Sequence, residues 1–182
     1  MPGWLEAALI LLSFLFALKL VYVMSIILAL PVTGGALFVS TSKRRLAAAL
    51  DGVPLRPGQV LIDLGCGDGR VLRLARKRYG VLAIGYELNP LACLKARLQC
   101  LCRQGIEVRW RDFTSADLSQ ADVVFCYLFP DVMKDLTVRF KTGLKPGAVV
   151  VSCNFPLPGF VPARIIFPER PLGSAPIYIY RF

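Results

Sequence analysis

The stretch Val60–Arg70, VLIDLGCGDGR, leaves the chain few local conformations. An apolar run, Val60-Leu61-Ile62, ends in Asp63. A turn with Gly65, Cys66, Gly67, Asp68 and Gly69 follows, and a helical pattern begins at Arg70. This is a strand, a tight turn and a helix N-terminus. Glycines in such a turn permit positive φ and let a ligand approach bare backbone. The helix N-terminus offers unpaired N–H groups to a carboxylate or phosphate. The spacing is G-x-G-x-G, whereas dinucleotide sites use G-x-G-x-x-G. Asp63 and Asp68 would repel a pyrophosphate and suit a ligand with a cationic amino group and hydroxyls. An ordinary β–α turn that needs glycine is the bland alternative.

Glu87 weighs against that alternative. It lies in Tyr86-Glu87-Leu88-Asn89-Pro90, at the end of the next apolar run. An acidic residue about 20 positions past a glycine loop is placed to bind ribose hydroxyls. Asn89 caps the helix that follows, and Pro90 suits its first turn.

The N-terminus poses a separate constraint. Trp4–Leu30 is almost wholly apolar, interrupted by Glu6 and Lys19. About 20 such residues cross a bilayer. Lys19, near the centre, costs about 2.5–3.5 kcal/mol on the insertion scale, while each central Leu, Ile, Phe or Val returns about 0.3–0.6 kcal/mol. Sixteen such residues lie between Leu5 and Leu30, so insertion wins. The chain is 55% hydrophobic, with a mean hydropathy of +0.57, an excess that a membrane segment explains. A cleaved signal peptide is disfavoured: the run is too long, and no basic region precedes it. Lys43, Arg44 and Arg45 follow the run, so the positive-inside rule puts the C-terminal domain in the cytoplasm of a single-pass protein.

The net charge is +10 and histidine is absent, which excludes histidine bases and histidine metal ligands. Of the six cysteines, only Cys100 and Cys102 are close, and one C-x-C is poor evidence for zinc. No metal is expected, and free thiols in a reducing compartment are the better reading.

The expected organisation is an anchor over 1–31, a linker and helix over 32–58, and a catalytic domain over 59–182. Pro31–Ser42 reads as irregular. A short helix over Lys43–Leu50 would be capped by Ser40, Thr41 or Ser42. Its Leu46, Ala47 and Leu50 face could lie over the ligand site, or the helix could be a plain linker. Its basic side would suit anionic head groups. Strands are expected at Val60–Leu64, Leu82–Tyr86, Ile106–Trp110, Asp122–Cys126 and Ala148–Cys153. Helices are expected from Gly69 to about Tyr79, Pro90 to about Cys102 and Asp131 to about Lys141. Two late strands, near Ala163–Phe167 and over Ile177–Arg181, would form a closing hairpin. Such alternation implies a parallel sheet with right-handed crossovers and a ligand at the carboxyl ends of the first three strands.

The glycine loop resembles motif I of class I S-adenosylmethionine-dependent methyltransferases. That resemblance implies a Rossmann-like, seven-stranded sheet, here behind a transmembrane helix. It implies that Asp63, the loop residues Gly65, Cys66, Gly67, Asp68 and Gly69, and Glu87 with Asn89 bind the cofactor, S-adenosyl-L-methionine. By the same resemblance Asp112 meets the adenine amine and Phe113 packs on the ring; a solvated turn aspartate is the alternative. Tyr127-Leu128-Phe129-Pro130 falls where such enzymes receive the acceptor. It lacks the Asn/Asp and first proline of the [DN]-P-P-[YF] motif that holds planar nitrogens. Tyr127, Phe129 and Pro130 make an aromatic, apolar wall instead, which suits an alkyl-amine. Alternatively Phe129 packs in the core and only Tyr127 faces the site.

Further pieces are similar to the membrane-anchored lysine methyltransferases of the adenine nucleotide translocase and ATP synthase c subunit. These are the apolar N-terminus, Asp63–Arg70, Gly85–Pro90, Tyr127–Pro130, Val150–Ser152 and Phe155-Pro156-Leu157-Pro158. The resemblance implies methylation of a lysine on a membrane protein. An RNA methyltransferase would use the positive charge, yet the anchor and the missing amide motif count against nucleic acid. A lipid or small-molecule methyltransferase would also fit the anchor, as would a non-catalytic cofactor-binding membrane module.

Overall fold

The computed structural model describes residues 3–29, 42–168 and 175–182. The expected irregular segment before Ser42 lies outside the described residues. The chain divides into two compact units. The first contains α1 (Gly3–Ala29), whose described side chains from Trp4 to Met24 are largely exposed. Gly3–Met24 is long and apolar enough to cross a membrane.

The second unit holds α2 (Lys43–Asp51), β1 (Val60–Leu64), α3 (Arg70–Tyr79), β2 (Leu82–Glu87), α4 (Pro90–Cys100), β3 (Ile106–Trp110), β4 (Val123–Cys126), α5 (Pro130–Gly143), β5 (Val149–Cys153), β6 (Arg164–Ile166) and β7 (Ile177–Arg181). The strands form one seven-stranded sheet in the order β3-β2-β1-β4-β5-β7-β6. The first five pair in parallel, while β7 runs antiparallel to β5 and β6. The strand order reverses between β1 and β4, and a ligand crevice is expected outside such a point.

Successive strand residues point to opposite faces, and both faces are covered. Leu61, Val123, Phe125 and Val151 join Leu72 and Ala75 of α3 and Ala96 of α4 in one apolar cluster. Ile62, Leu64, Val124 and Val150 join Met133, Leu136 and Phe140 of α5 in another. This doubly covered arrangement explains why the strands read as continuous apolar runs.

Helix α2 packs into the core of the second unit. Leu46, Ala49 and Leu50 are buried in the first cluster, beside Leu61, Leu72 and Ile177. Ser42 caps it by accepting from the Arg45 N–H at 3.2 Å. Three apolar side chains on one stripe of a short helix are best stabilised by tertiary burial.

Some boundaries shift. Strand β4 starts one residue later than expected because Asp122 works through its side chain. Its Oδ2 accepts from the Val60 N–H at 2.7 Å, and its Oδ1 pairs with Lys145 at 2.7 Å. Helix α4 stops at Cys100, where Arg103 N–H turns back to the Cys100 carbonyl at 2.9 Å. Helix α5 begins on Pro130 itself, whose missing N–H costs nothing in a first turn.

Candidate active site

The β1–α3 loop is built from residues able to take left-handed backbone. Gly65, Gly67 and Gly69 have φ of 85°, 55° and 72°. The loop folds back onto the end of β2: the N–H groups of Gly65 and Cys66 both donate to the Tyr86 carbonyl, at 3.0 and 2.9 Å. This close approach requires glycine in β2. A Cβ on Gly85 would lie 2.6 Å from both Cys66 Sγ and Leu72 Cδ1.

Three carboxylates gather here. Asp63, at the end of β1, is 2% exposed, and its Oδ2 has no hydrogen-bond partner. Burial, then the nearby charges of Glu87 and Asp68, push its carboxyl well above its usual range. Glu87, ending β2, accepts from Gly67 N–H through Oε2 and from Asn89 N–H through Oε1, both at 2.8 Å. Burial raises its carboxyl, and those backbone bonds partly offset the rise. Asp68 differs. Burial pushes it up, but a hydrogen bond and charge from Arg70, with Arg73 and Lys95, bring it below its usual value. Arg70 holds both its oxygens, Nε to Oδ1 at 2.9 Å and Nη2 to Oδ2 at 2.8 Å. Asp68 thus ties the loop to α3. Cys66 is buried, and burial above all pushes its thiol up. Asn89 Oδ1 accepts from Leu91 and Ala92 N–H at 2.9 and 3.0 Å, capping α4. Its backbone N–H steadies Glu87.

Asp112 and Phe113 follow β3 at the same edge, both half-buried. Asp112 Oδ1 accepts from Thr114 N–H at 2.7 Å, capping a single turn over Phe113–Ser115. Phe113 packs partly against the second apolar cluster.

Tyr127, Phe129 and Pro130 follow β4, one strand from the glycine loop. A Cβ on Gly65 would sit 3.4 Å from Leu128 Cδ2, so the two ends are in contact. Leu128 is buried, Tyr127 and Phe129 are half-buried, and Pro130 is exposed. Phe129 faces Phe155, with ring centroids 6.0 Å apart. Phe155 in turn packs against the second apolar cluster, and Tyr127 packs against the first.

Two residues join the site that the sequence does not single out for it. Asn154, just past β5, has φ 73°, the one non-glycine residue at positive φ among those described. Its Nδ2 donates to the Tyr127 hydroxyl oxygen. Its Oδ1 accepts from Arg45 Nη2, which also reaches the Pro176 carbonyl at 3.4 Å. In the sequence, Arg45 reads as part of the basic, head-group side of its helix. Lys43 and Arg44 are indeed exposed, but Arg45 turns inward. The one signal for Asn154 is that asparagine tolerates left-handed backbone better than most residues. Among the described residues, no group of three or more Cys, Asp or Glu is placed to hold a metal ion.

Residues 63–164 match the ANTKMT methyltransferase domain. The chain is 30% identical over 148 residues to a protein-lysine N-methyltransferase of Saccharolobus islandicus, spanning 79% of this chain and 91% of that protein. The chain belongs to the ANTKMT methyltransferase family. It is also 35% identical over 133 residues to the adenine nucleotide translocase lysine N-methyltransferase of Mus musculus, spanning 71% of this chain and 57% of the mouse protein. The chain thus matches little more than half of that longer relative. Among solved structures, it is similar to an RNA methyltransferase from Salinibacter ruber in complex with S-adenosyl-L-homocysteine. The TM-score is 0.72 at 32% identity, over 79% of this chain and 93% of that one.

As a member of the ANTKMT family the chain is an S-adenosylmethionine-dependent methyltransferase. Its residues fit that cofactor. The unpartnered Asp63 Oδ2 is a buried acceptor in need of a cation. Glu87 brings two more carboxylate oxygens to the same edge, and bare glycine backbone lies between.

Proposed function

We propose that this is a membrane-anchored protein-lysine N-methyltransferase acting on a membrane protein. Residues 1–31 form the anchor, 32–58 the linker and helix, and 59–182 the catalytic domain, held on the cytoplasmic side. Support for the membrane reading comes from the apolar span Gly3–Met24 and the exposed Lys43 and Arg44 that follow. A stripe of exposed leucines on α4 and the turn after it, Leu94, Leu98 and Leu101, is also apolar.

The observation that carries the lysine reading is the facing pair of rings Phe129 and Phe155 past the ends of β4 and β5, with Tyr127 two residues before Phe129, in a chain without histidine. S-adenosylmethionine, when bound, supplies an electrophilic methyl group on a sulfonium. Asp63 holds its amino group and Glu87 its ribose hydroxyls. Gly65, Cys66, Gly67 and Gly69 line it with backbone, and Asp68 and Asn89 keep the loop and Glu87 in place. Asp112 and Phe113 hold the adenine. Tyr127, Phe129 and Pro130 receive the amine. Stripping water from a lysine in such a pocket favours its neutral form, the nucleophile. Fixing its line of approach supplies most of the remaining rate enhancement.

A second reading, RNA methylation, draws on the Salinibacter ruber relative and the net charge of +10. One experiment separates the two. Purified full-length protein is incubated with tritiated-methyl S-adenosylmethionine and membranes from its own source, beside Glu87→Ala. A labelled protein band, absent with the variant and yielding methyl-lysine on hydrolysis, is the expected result. Label that disappears with RNase, or that extracts into organic solvent, overturns the lysine assignment.

A further inference from the structure

We infer that Arg45 and Asn154 are positioning residues that aim the Tyr127 hydroxyl at the acceptor amine. The inference rests on the lysine reading above and extends it to two residues outside the glycine loop and the aromatic wall.

The hydrogen-bond chemistry fixes the orientation of each group. Arg45 has only donors to offer. The Asn154 group facing it must therefore be the amide oxygen, which accepts from Arg45 Nη2. The amide NH2 is thereby turned to Tyr127 and donates to its oxygen. An amide NH2 accepts nothing, so the Tyr127 hydroxyl hydrogen cannot rest on Asn154. It is turned away, and the oxygen keeps one further lone pair. An amine that donates an N–H to that lone pair keeps its own lone pair for the incoming methyl group.

The surroundings hold this array rigidly. Asn154 N–H donates to the Pro176 carbonyl at 2.9 Å. Ser152 Oγ donates to the Phe155 carbonyl at 2.6 Å, and Leu157 N–H donates to the Tyr180 hydroxyl at 2.8 Å. Residues in left-handed backbone that are not glycine persist only where neighbours over-determine them, and they cluster at functional sites. The half-buried Arg45 guanidinium is held there by Nη2, on Asn154 Oδ1 and the Pro176 carbonyl. A cation behind Tyr127 disfavours an ammonium in front of it and favours the neutral amine.

The test separates position from stability. Glycine accepts φ 73° without strain, so Asn154→Gly removes the amide while keeping the turn. In the full-length protein, assayed with tritiated-methyl S-adenosylmethionine and source membranes, Asn154→Gly is expected to lower kcat about tenfold, the loss of one hydrogen bond. KM for the cofactor stays unchanged. Tyr127→Phe has a similar effect, and the double variant is no worse than either single one, because Asn154 acts through Tyr127. Arg45→Gln keeps a donor for Asn154 but removes the charge, and the acid limb of the pH–rate profile is expected to move to higher pH. Wild-type kcat in Asn154→Gly, or losses that multiply in the double variant, overturns the inference. An unmoved acid limb removes Arg45 from it. If the wild type labels RNA or lipid instead, the lysine reading falls, while the same kcat ratios still decide whether Asn154 acts through Tyr127.

Discussion

The two ends of the cleft are built differently. The cofactor end is local: Asp63, the glycine loop and Glu87 lie within 25 residues of one another and belong to one β–α–β unit. The proposed acceptor end is assembled from three distant pieces, with Arg45 on α2, Tyr127 after β4 and Asn154 after β5. The proposed cofactor end works with buried carboxyl groups and backbone. The acceptor end works with aromatic surface and a relay of neutral hydrogen bonds ending on a cation. One end must hold an invariant cofactor, whereas the other must suit one acceptor among many. A shared scaffold with separable ends lets the second change without disturbing the first.

The sharpest way to break this division is to damage each end and read both functions. Glu87→Ala removes the proposed acceptors for the ribose hydroxyls and leaves the Gly67 and Asn89 N–H groups without their partner. Hydrogen bonds to charged groups contribute about 1.5–3 kcal/mol each. Affinity for S-adenosylhomocysteine, measured by calorimetry, is therefore expected to fall at least about 100-fold, or about 2.7 kcal/mol. Tyr127→Phe is expected to leave that affinity within about twofold. Equal losses in both variants would mean that the two ends are one site.

A smaller effect tests how the cofactor end is packed. In Gly85→Ala the new Cβ would press on Cys66 and Leu72. Overpacking of this kind costs about 1–3 kcal/mol, seen as a lower midpoint in chemical denaturation. Cys66 is part of the loop, so cofactor affinity should fall with it. If stability drops but affinity does not, the loop is anchored by Glu87 and not by its seat on β2.

The same contrast governs what the sequence disclosed. The strands Val60–Leu64, Ile106–Trp110 and Ile177–Arg181 fall where their apolar residues put them. Burial on both faces makes Val60–Leu64 one apolar run broken only at Asp63, whereas Ile106–Trp110, at the sheet edge, alternates apolar and charged residues. Gly65, Gly67, Gly69 and Glu87 mark the proposed cofactor end within one short stretch, because the chemistry expected of it is written in neighbouring residues. Asn154 had no such context. Its meaning comes from a backbone angle and from Arg45, which is 109 residues away. Arg45 itself, beside Lys43 and Arg44, reads as one of three surface cations. A helix of nine residues gave too little periodicity to show that its leucines were core and that one of its cations turned inward.

Asp63 offers the subtlest test, because there stability and function oppose each other. Its carboxyl is raised by burial first, and then by the charges of Glu87 and Asp68. A group whose folded pKa lies above its unfolded value contributes stability below the unfolded value, about 3.9. That stability is lost as pH rises through the folded value. Ionising Asp63 is thus a cost to the cofactor-free fold, and a cationic ligand offsets it. Asp63→Asn removes the charge with little change of shape. Without cofactor, the variant should melt higher than wild type at pH 8, by a gain on the order of 1 kcal/mol, or about 2–4 °C for a chain of this size. The gap should narrow as pH falls, because the raised carboxyl of wild-type Asp63 takes up its own proton above the ordinary carboxylate range. With saturating S-adenosylmethionine the order should reverse, since only wild type gains from the bound cation. A variant that melts lower at every pH, with or without cofactor, would show that Asp63 is a structural carboxylate, and the amino group would then need another partner.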